Sequence, residues 1–269
     1  MSESRQDPRG EDSSSRDGGA FGDDGDASRS GALIEASREL ARKVDALAFG
    51  DPVRYVYNPL IYARRPWETY LSRYAGDTKR VVFVGMNPGP WGMAQTGVPF
   101  GEVDAVRNWL GIEEPVDRPP REHPRRPVAG FSVERREASG QRLWGLMRER
   151  FETPEAFFAG HFVANYCPLL FLDQQGRNLT PDKLGSDDRE ELFRHCDAHL
   201  RRVVEVLEPK WVIGVGRFTE GRIRELYGGD NESAAPRSGG ILHPSPASPR
   251  ANRDWAGTVT ASLIALGIW

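Results

Sequence analysis

Apolar residues fall along this chain in two rhythms. Short, nearly unbroken apolar runs lie at 81–84, from 161, at 211–215 and at 241–242, and each reads as a buried strand. Between them the apolar positions recur every three or four residues. Over 33–49, Leu33, Leu40, Val44, Leu47 and Ala48 share one helical face. Over 187–207, Leu192, Phe193, Cys196, Leu200, Val203, Val204 and Leu207 do the same. Further helices are expected at 103–110, where Gly111 stops the turn, at 141–151, after the Thr153-Pro154 cap, at 218–227 and at 256–266. The aromatic-rich stretch 55–74 reads as a loop leading to a short helix after Pro66. The stretch 112–139 carries Pro115, Pro119, Pro120, Pro124 and Pro127 and reads as loop. Strands alternating with helices predict an α/β fold, a parallel sheet covered on both faces, in one domain over 32–269. Residues 1–31, rich in Ser, Gly, Asp and Arg, lack the apolar surface that would offset ordering and are expected to form a disordered acidic tail.

One loop stands apart. After the run Val81, Val82, Phe83, Val84, Gly85 ends the strand and Asn87-Pro88-Gly89-Pro90 follows. Two prolines in three residues cannot continue a ladder, so a stiff loop leaves the end of a buried strand. Ligands of open α/β sheets bind at such ends. Trp91, Gly92, Met93, Gln95 and Phe100 continue with neither period, and a long mixed loop after a core strand is more often functional than not.

Composition narrows the chemistry. With 269 residues, 38% of them hydrophobic, the chain can bury one large core. Cys167 and Cys196 are too few for a disulfide framework or a four-cysteine zinc or iron–sulfur site, and both read as buried apolar residues. No metal or cofactor is expected. No run reaches the roughly 18 apolar residues of a membrane span, and the N-terminus lacks the pattern of a signal peptide. A cytoplasmic location is expected, or a nuclear one in a eukaryote. Net charge is −3. Residues 1–31 hold −4 of it, which leaves the rest at +1, so bulk charge does not point to DNA. Candidate basic stripes are Arg118, Arg121, Arg125 and Arg126, and Arg250 with Arg253.

The segments 57–67 (YNPLIYARRPW), 85–101 (GMNPGPWGMAQTGVPFG), 161–172 (HFVANYCPLLFL) and 242–246 (LHPSP) together resemble the single-strand-selective monofunctional uracil-DNA glycosylases, a branch of the uracil-DNA glycosylase superfamily. The similarity runs from about residue 55 onward. It implies a three-layer α/β/α sandwich around a four-stranded parallel sheet, in agreement with the four strands read above. It also implies DNA as the partner, a monomeric enzyme, and hydrolysis of uracil from DNA in base excision repair, leaving an abasic site.

The residues themselves permit that chemistry. Three strand-end loops carry Asn87, Asn165 and His243, with Phe100 nearby and no carboxylate in the set, which sets aside the paired-carboxylate glycosidase scheme. No nucleophile sits in an evident triad motif and no lysine is placed for a Schiff base, so a monofunctional hydrolase is favoured over a lyase. Asn87 can orient a water beneath the sugar. His243 can donate a hydrogen bond to charge developing on uracil O2. One amide of Asn165 complements uracil O4 and N3–H and mismatches cytosine. Phe100 can stack on the extruded base. The resemblance assigns the same four roles. It also places Met86, Gly89 and Met93 around the base, with Gly89 leaving room beside C5 for uracil and for 5-hydroxymethyluracil or 5-hydroxyuracil. It lays Pro244, Ser245, Pro246, Ala247, Arg250 and Arg253 against DNA. The family's LHPSP loop usually continues with an arginine; here Ala247 follows, and the arginines come later. Two other readings compete: a non-catalytic binder of damaged or single-stranded DNA, and a hydrolase of free nucleosides.

Overall fold

The computed structural model describes residues 24–228 and 236–269, with the backbone alone for 24–28. In chain order the elements are α1 (Asp24–Asp45), β1 (Tyr55–Tyr57), α2 (Pro59–Tyr62), α3 (Arg64–Tyr74), β2 (Val81–Gly85), α4 (Met93–Thr96), a π-helical turn (Ala105–Trp109), α5 (Ala138–Phe151), α6 (Pro154–Phe158), β3 (His161–Asn165), β4 (Leu170–Leu172), β5 (Asn178–Leu179), α7 (Ser186–Leu207), β6 (Trp211–Val215), α8 (Arg217–Tyr227), β7 (Arg237–Ile241) and α9 (Pro249–Ala265).

The four expected strands pair in parallel in the order β3-β2-β6-β7. Every residue of the central strand β2 is buried, as its unbroken apolar run requires. Right-handed crossovers put α5 and α6 on one face of the sheet and α7 and α8 on the other. The side chains follow this division. Phe83 stacks on His161, and His161 on Phe157 of α6. On the opposite face, Phe162 meets Tyr70 of α3, whose hydroxyl donates to the Val163 carbonyl. Helix α1 covers that face beside α3 and α7. The result is an α/β/α sandwich. Truncating a fully buried residue here, such as Leu71 or Ile213, should cost about 2–5 kcal/mol.

The structure departs from the sequence reading in four places. Helix α1 begins at Asp24, inside the expected disordered tail. Arg29 bonds the Val206 carbonyl and pairs with Glu208, while Ser30 is buried, so tertiary contacts hold a segment whose composition is polar. Residues 1–23 of that tail lie outside the described residues. The stretch 55–74 is not mainly loop but β1, α2 and α3, and Pro66 sits in the first turn of α3, where a proline is tolerated. A second, antiparallel sheet, β1-β4-β5, was not foreseen, because its strands are two or three residues long and show no period. Helix α9 starts at Pro249 rather than 256. Ser248 caps it by accepting from the Ala251 amide, and non-helical Asp254 breaks the helix between its polar first part and its apolar second part.

Candidate active site

In a parallel sheet all C-terminal strand ends lie on one edge, and three of them build the site. Gly85 at the end of β2 lies beside Asn165 at the end of β3. Strand β7, paired to β6 through Val215 and Ile241, ends just before His243. A cavity of about 390 Å³ opens there, lined by Met86, Asn87, Gly89 and Pro90 of the first loop, by Phe100 and Asn165, and by His243 and Ser245. The structure therefore brings together residues that are 156 positions apart in sequence, from Asn87 to His243.

Each polar side chain is oriented by a named contact. Asn87 donates its amide to the Leu169 carbonyl at 3.2 Å, which leaves its oxygen as an acceptor for a water. Asn165 donates to the Met93 sulfur at 3.1 Å. Thioether sulfur is a weak acceptor, so this donor is readily given up to a ligand carbonyl. The Ser245 amide donates to His243 Nδ1 at 3.1 Å. A neutral imidazole that accepts at Nδ1 carries its proton on Nε2, so His243 offers an N–H donor. Burial holds its pKa below the ordinary histidine value and keeps the ring neutral. The Phe100 ring lies 6.2 Å from the His243 ring and inclined to it by 44°. Phe100 has φ of +52°, a conformation that costs free energy for a residue with a side chain and concentrates at functional sites. Gly85 is obligatory beside it, since a Cβ there would lie 2.4 Å from Asn165 Oδ1 and 2.6 Å from the Phe100 ring.

Met93 is buried behind Asn165 and does not line the cavity. Pro244 is buried and Ser245 faces the cavity, whereas Pro246, Ala247, Arg250 and Arg253 are exposed and do not line it. Arg142 braces this loop, donating to the Pro244 carbonyl at 3.0 Å and to Asn252 Oδ1 at 2.8 Å. Trp91 of the first loop lies between the guanidinium groups of Arg126, at 5.3 Å, and Arg135, at 4.8 Å. Of the other basic candidates, Arg118 faces Glu122 and Arg121 stacks on Tyr55.

Two expectations need correction. The site does contain a carboxyl group: Glu137, the residue before α5, lines the cavity. And the room beside Gly89 is not empty, because Glu137 Oε1 lies 1.8 Å from where a Cβ on Gly89 would stand. Sequence reasoning missed Glu137 because it sits among the charged residues ERRE near the end of the stretch 112–139, which reads as loop. The signal that could have found it is the pair Gly89 and Gly92, both left without side chains around it. A paired-carboxylate scheme still lacks its second member, for Glu102 is tied to Arg136 at 3.0 Å and does not line the cavity. Cys167 and Cys196 are buried free thiols. Among the described residues no group of three His, Cys, Asp or Glu is placed to hold a metal, and no helix is long and apolar enough to cross a membrane.

Known proteins are similar to this chain over most of its length. A family model described as the uracil DNA glycosylase superfamily matches residues 72–260. The single-strand selective monofunctional uracil DNA glycosylase of Mus musculus is 47% identical over 236 residues, 88% of this chain and 84% of its own length. That of Bos taurus is 46% identical over 238 residues, 88% of this chain and 86% of its own. The fold is shared with wild-type Pedobacter heparinus SMUG2, at a TM-score of 0.61 and 16% identity over 86% of this chain and 97% of that one. With a family model matched over residues 72–260 and relatives 46–47% identical along 88% of its length, the chain belongs to the single-strand selective monofunctional family of the uracil DNA glycosylase superfamily.

Proposed function

We propose that this protein is a monofunctional uracil-DNA glycosylase: it hydrolyses the N-glycosidic bond between uracil and deoxyribose in DNA and leaves an abasic site. The observation that carries the reading is the convergence of Asn87, Asn165 and an Nε2-protonated His243 on one cavity. The extruded base stacks on Phe100, walled by Met86 and Gly89, with Met93 supporting Asn165 from behind. Asn165 turns its amide from the Met93 sulfur to uracil, donating to O4 and accepting from N3–H. Cytosine presents the reverse pattern and leaves those groups unpaired. As the bond from C1′ to N1 lengthens, its electron pair moves onto the base. His243 Nε2–H stabilises that charge at O2 as an oxyanion-hole donor does. The sugar becomes oxocarbenium-like and is captured by the water held at Asn87 Oδ1, which loses a proton to solvent.

No amine takes part. Lys79, for instance, is buried just before the start of β2, at the end of the strand away from the loop, and donates to the Phe158 carbonyl. The product therefore stays an intact strand with an abasic site. The loop 244–247, exposed at Pro246 and Ala247, and Arg250 and Arg253 at the start of α9 face the DNA, and the enzyme acts as a monomer. A base-panel assay on single- and double-stranded oligonucleotides, with alkali to reveal abasic sites, tests the reading. Binding of uracil-containing DNA without any alkali-labile product would refute it in favour of a non-catalytic binder, and turnover of free deoxyuridine would favour a nucleoside hydrolase.

A further inference from the structure

Glu137 is the one carboxyl group that lines the cavity, and the scheme above leaves it unused. Its backbone carbonyl accepts from the Gln141 amide at the start of α5, and its side chain passes beneath the first loop. There the carboxyl occupies the places where two side chains would otherwise stand: Oε1 is 1.8 Å from a Cβ built on Gly89, and Oε2 is 2.1 Å from one built on Gly92. Oε2 is sealed from solvent and has no hydrogen-bond partner among the described residues. Among the described residues no cation is in salt-bridge contact with this carboxyl. The charged groups around it are few. Glu102, before the π-helical turn, carries the same sign and is itself paired to Arg136. Arg135 lies over Trp91, Arg142 of α5 is committed to Pro244 and Asn252, and His243 across the cavity is neutral.

An unpaired carboxylate is costly to bury, and the neutral acid is the form this environment favours. Desolvation first, and the charge of Glu102 second, push the group up to about 7, against the opposing pull of the Gly140 amide. A neutral carboxyl also brings a proton to donate, in a cavity whose proposed occupant departs as an anion. We propose that Glu137 is a further catalytic residue: as a neutral acid it hydrogen-bonds the extruded base and lets it leave with negative charge, and as a carboxylate it opposes that departure. The assignment rests on the glycosylase reading above. It puts a second donor beside the base on the first-loop side of the cavity, apart from His243. It also makes the chemical step, rather than DNA binding, the quantity that falls when Glu137 ionises.

The test is single-turnover cleavage of a uracil-containing single strand at saturating protein, from pH 5.5 to 9, for the wild type, Glu137→Gln and Glu137→Ala. Binding to an uncleavable analogue is followed in parallel. The wild-type rate is expected to fall about tenfold or more above pH 7 at unchanged affinity. Glu137→Gln, which keeps a neutral donor, should hold the rate within a few-fold at pH 6 and lose the alkaline fall. Glu137→Ala should also lose the fall but be slower at every pH by about tenfold. A flat wild-type profile, or the same alkaline fall in Glu137→Gln, would overturn the assignment while leaving the glycosylase reading intact. Absence of cleavage by the wild type at every pH would overturn that reading and the assignment with it. A flat wild-type profile overturns the assignment even if a variant fails to fold, and the isosteric Glu137→Gln decides it should Glu137→Ala not fold.

Discussion

Replacing Glu137 by glutamine is expected to stabilise this protein at pH 8 and to leave it almost unchanged at pH 4. The folded state raises the carboxyl from an ordinary 4.5 to about 7, so it binds a proton that the unfolded chain gives up between those values. Below pH 4.5 both states are neutral there and the variant gains nothing. From pH 4.5 to 7 the wild type loses stability steadily, and above pH 7 the loss stays constant. At about 1.4 kcal/mol for each tenfold, the full displacement amounts to roughly 3 kcal/mol. The residue as a whole is only partly buried, so screening brings the expected gain to about 1–3 kcal/mol. For a domain of this size that is roughly 3–10 °C in Tm. Thermal or urea unfolding of both proteins at pH 4, 5.5, 7 and 8 measures it directly. A gap between variant and wild type that is equal at pH 4 and pH 8 would sink the argument, as would a wild type that is the more stable at pH 8. Loss of the buried charge would then not be what separates the two proteins.

Four other outcomes are expected. His243→Ala should slow single-turnover cleavage of uracil by about a hundred- to a thousandfold with affinity for DNA within a few-fold, because one preorganised donor is worth about that much; a wild-type rate would mean that the LHPSP loop is only structural. Asn165→Asp replaces the amide donor with an acceptor, so it should lose discrimination of uracil from cytosine as well as rate, which a two-substrate competition assay reads out. Removing both Arg250 and Arg253 should lower the salt dependence of DNA binding by about two phosphate contacts, with the intrinsic cleavage rate kept; an unchanged salt slope would take these arginines off the DNA. Gly89→Ala should inactivate by driving its new Cβ into Glu137, and Glu137→Ala in the same chain should restore part of the loss, so a double-mutant cycle with no coupling would contradict the contact.

How far the sequence reveals this molecule depends on what each segment must do. Strands β2, β3 and β6 are legible because burial on both faces demands unbroken apolar runs. Only the end of β7 is legible, since Gly239 and Gly240 lie within the strand and offer no pattern. Both are glycine for packing: a Cβ on Gly239 would press on Ile213 and Leu266 at 3.1 Å, and one on Gly240 would meet Glu220 at 2.5 Å. The small sheet is invisible for lack of length, and the start of α1 is hidden because contacts with α7, rather than its own composition, hold it. In the site, Asn87, Asn165 and His243 are legible as polar residues at the ends of apolar strands. Glu137 is not, because nothing local distinguishes a carboxyl aimed inward from the solvated charges beside it.

The glycines of the first loop carry a consequence for how this chain can drift over generations. Gly85, Gly89 and Gly92 hold nothing that could react with a base, yet the atoms of Asn165, Phe100 and Glu137 stand where their side chains would be. A single methyl at any of them displaces a working group by on the order of 1 Å. In a library of all single substitutions selected for repair activity, these three positions should therefore be as depleted of alternatives as Asn87 and His243. Their depletion would have a different grain. At Asn87 and His243 the chemistry of the replacement decides the outcome, whereas at the glycines its volume does, so alanine fails there with every larger residue. An ordinary ranking of substitutions by chemical similarity would score glycine to alanine as mild at all three sites and misjudge each one.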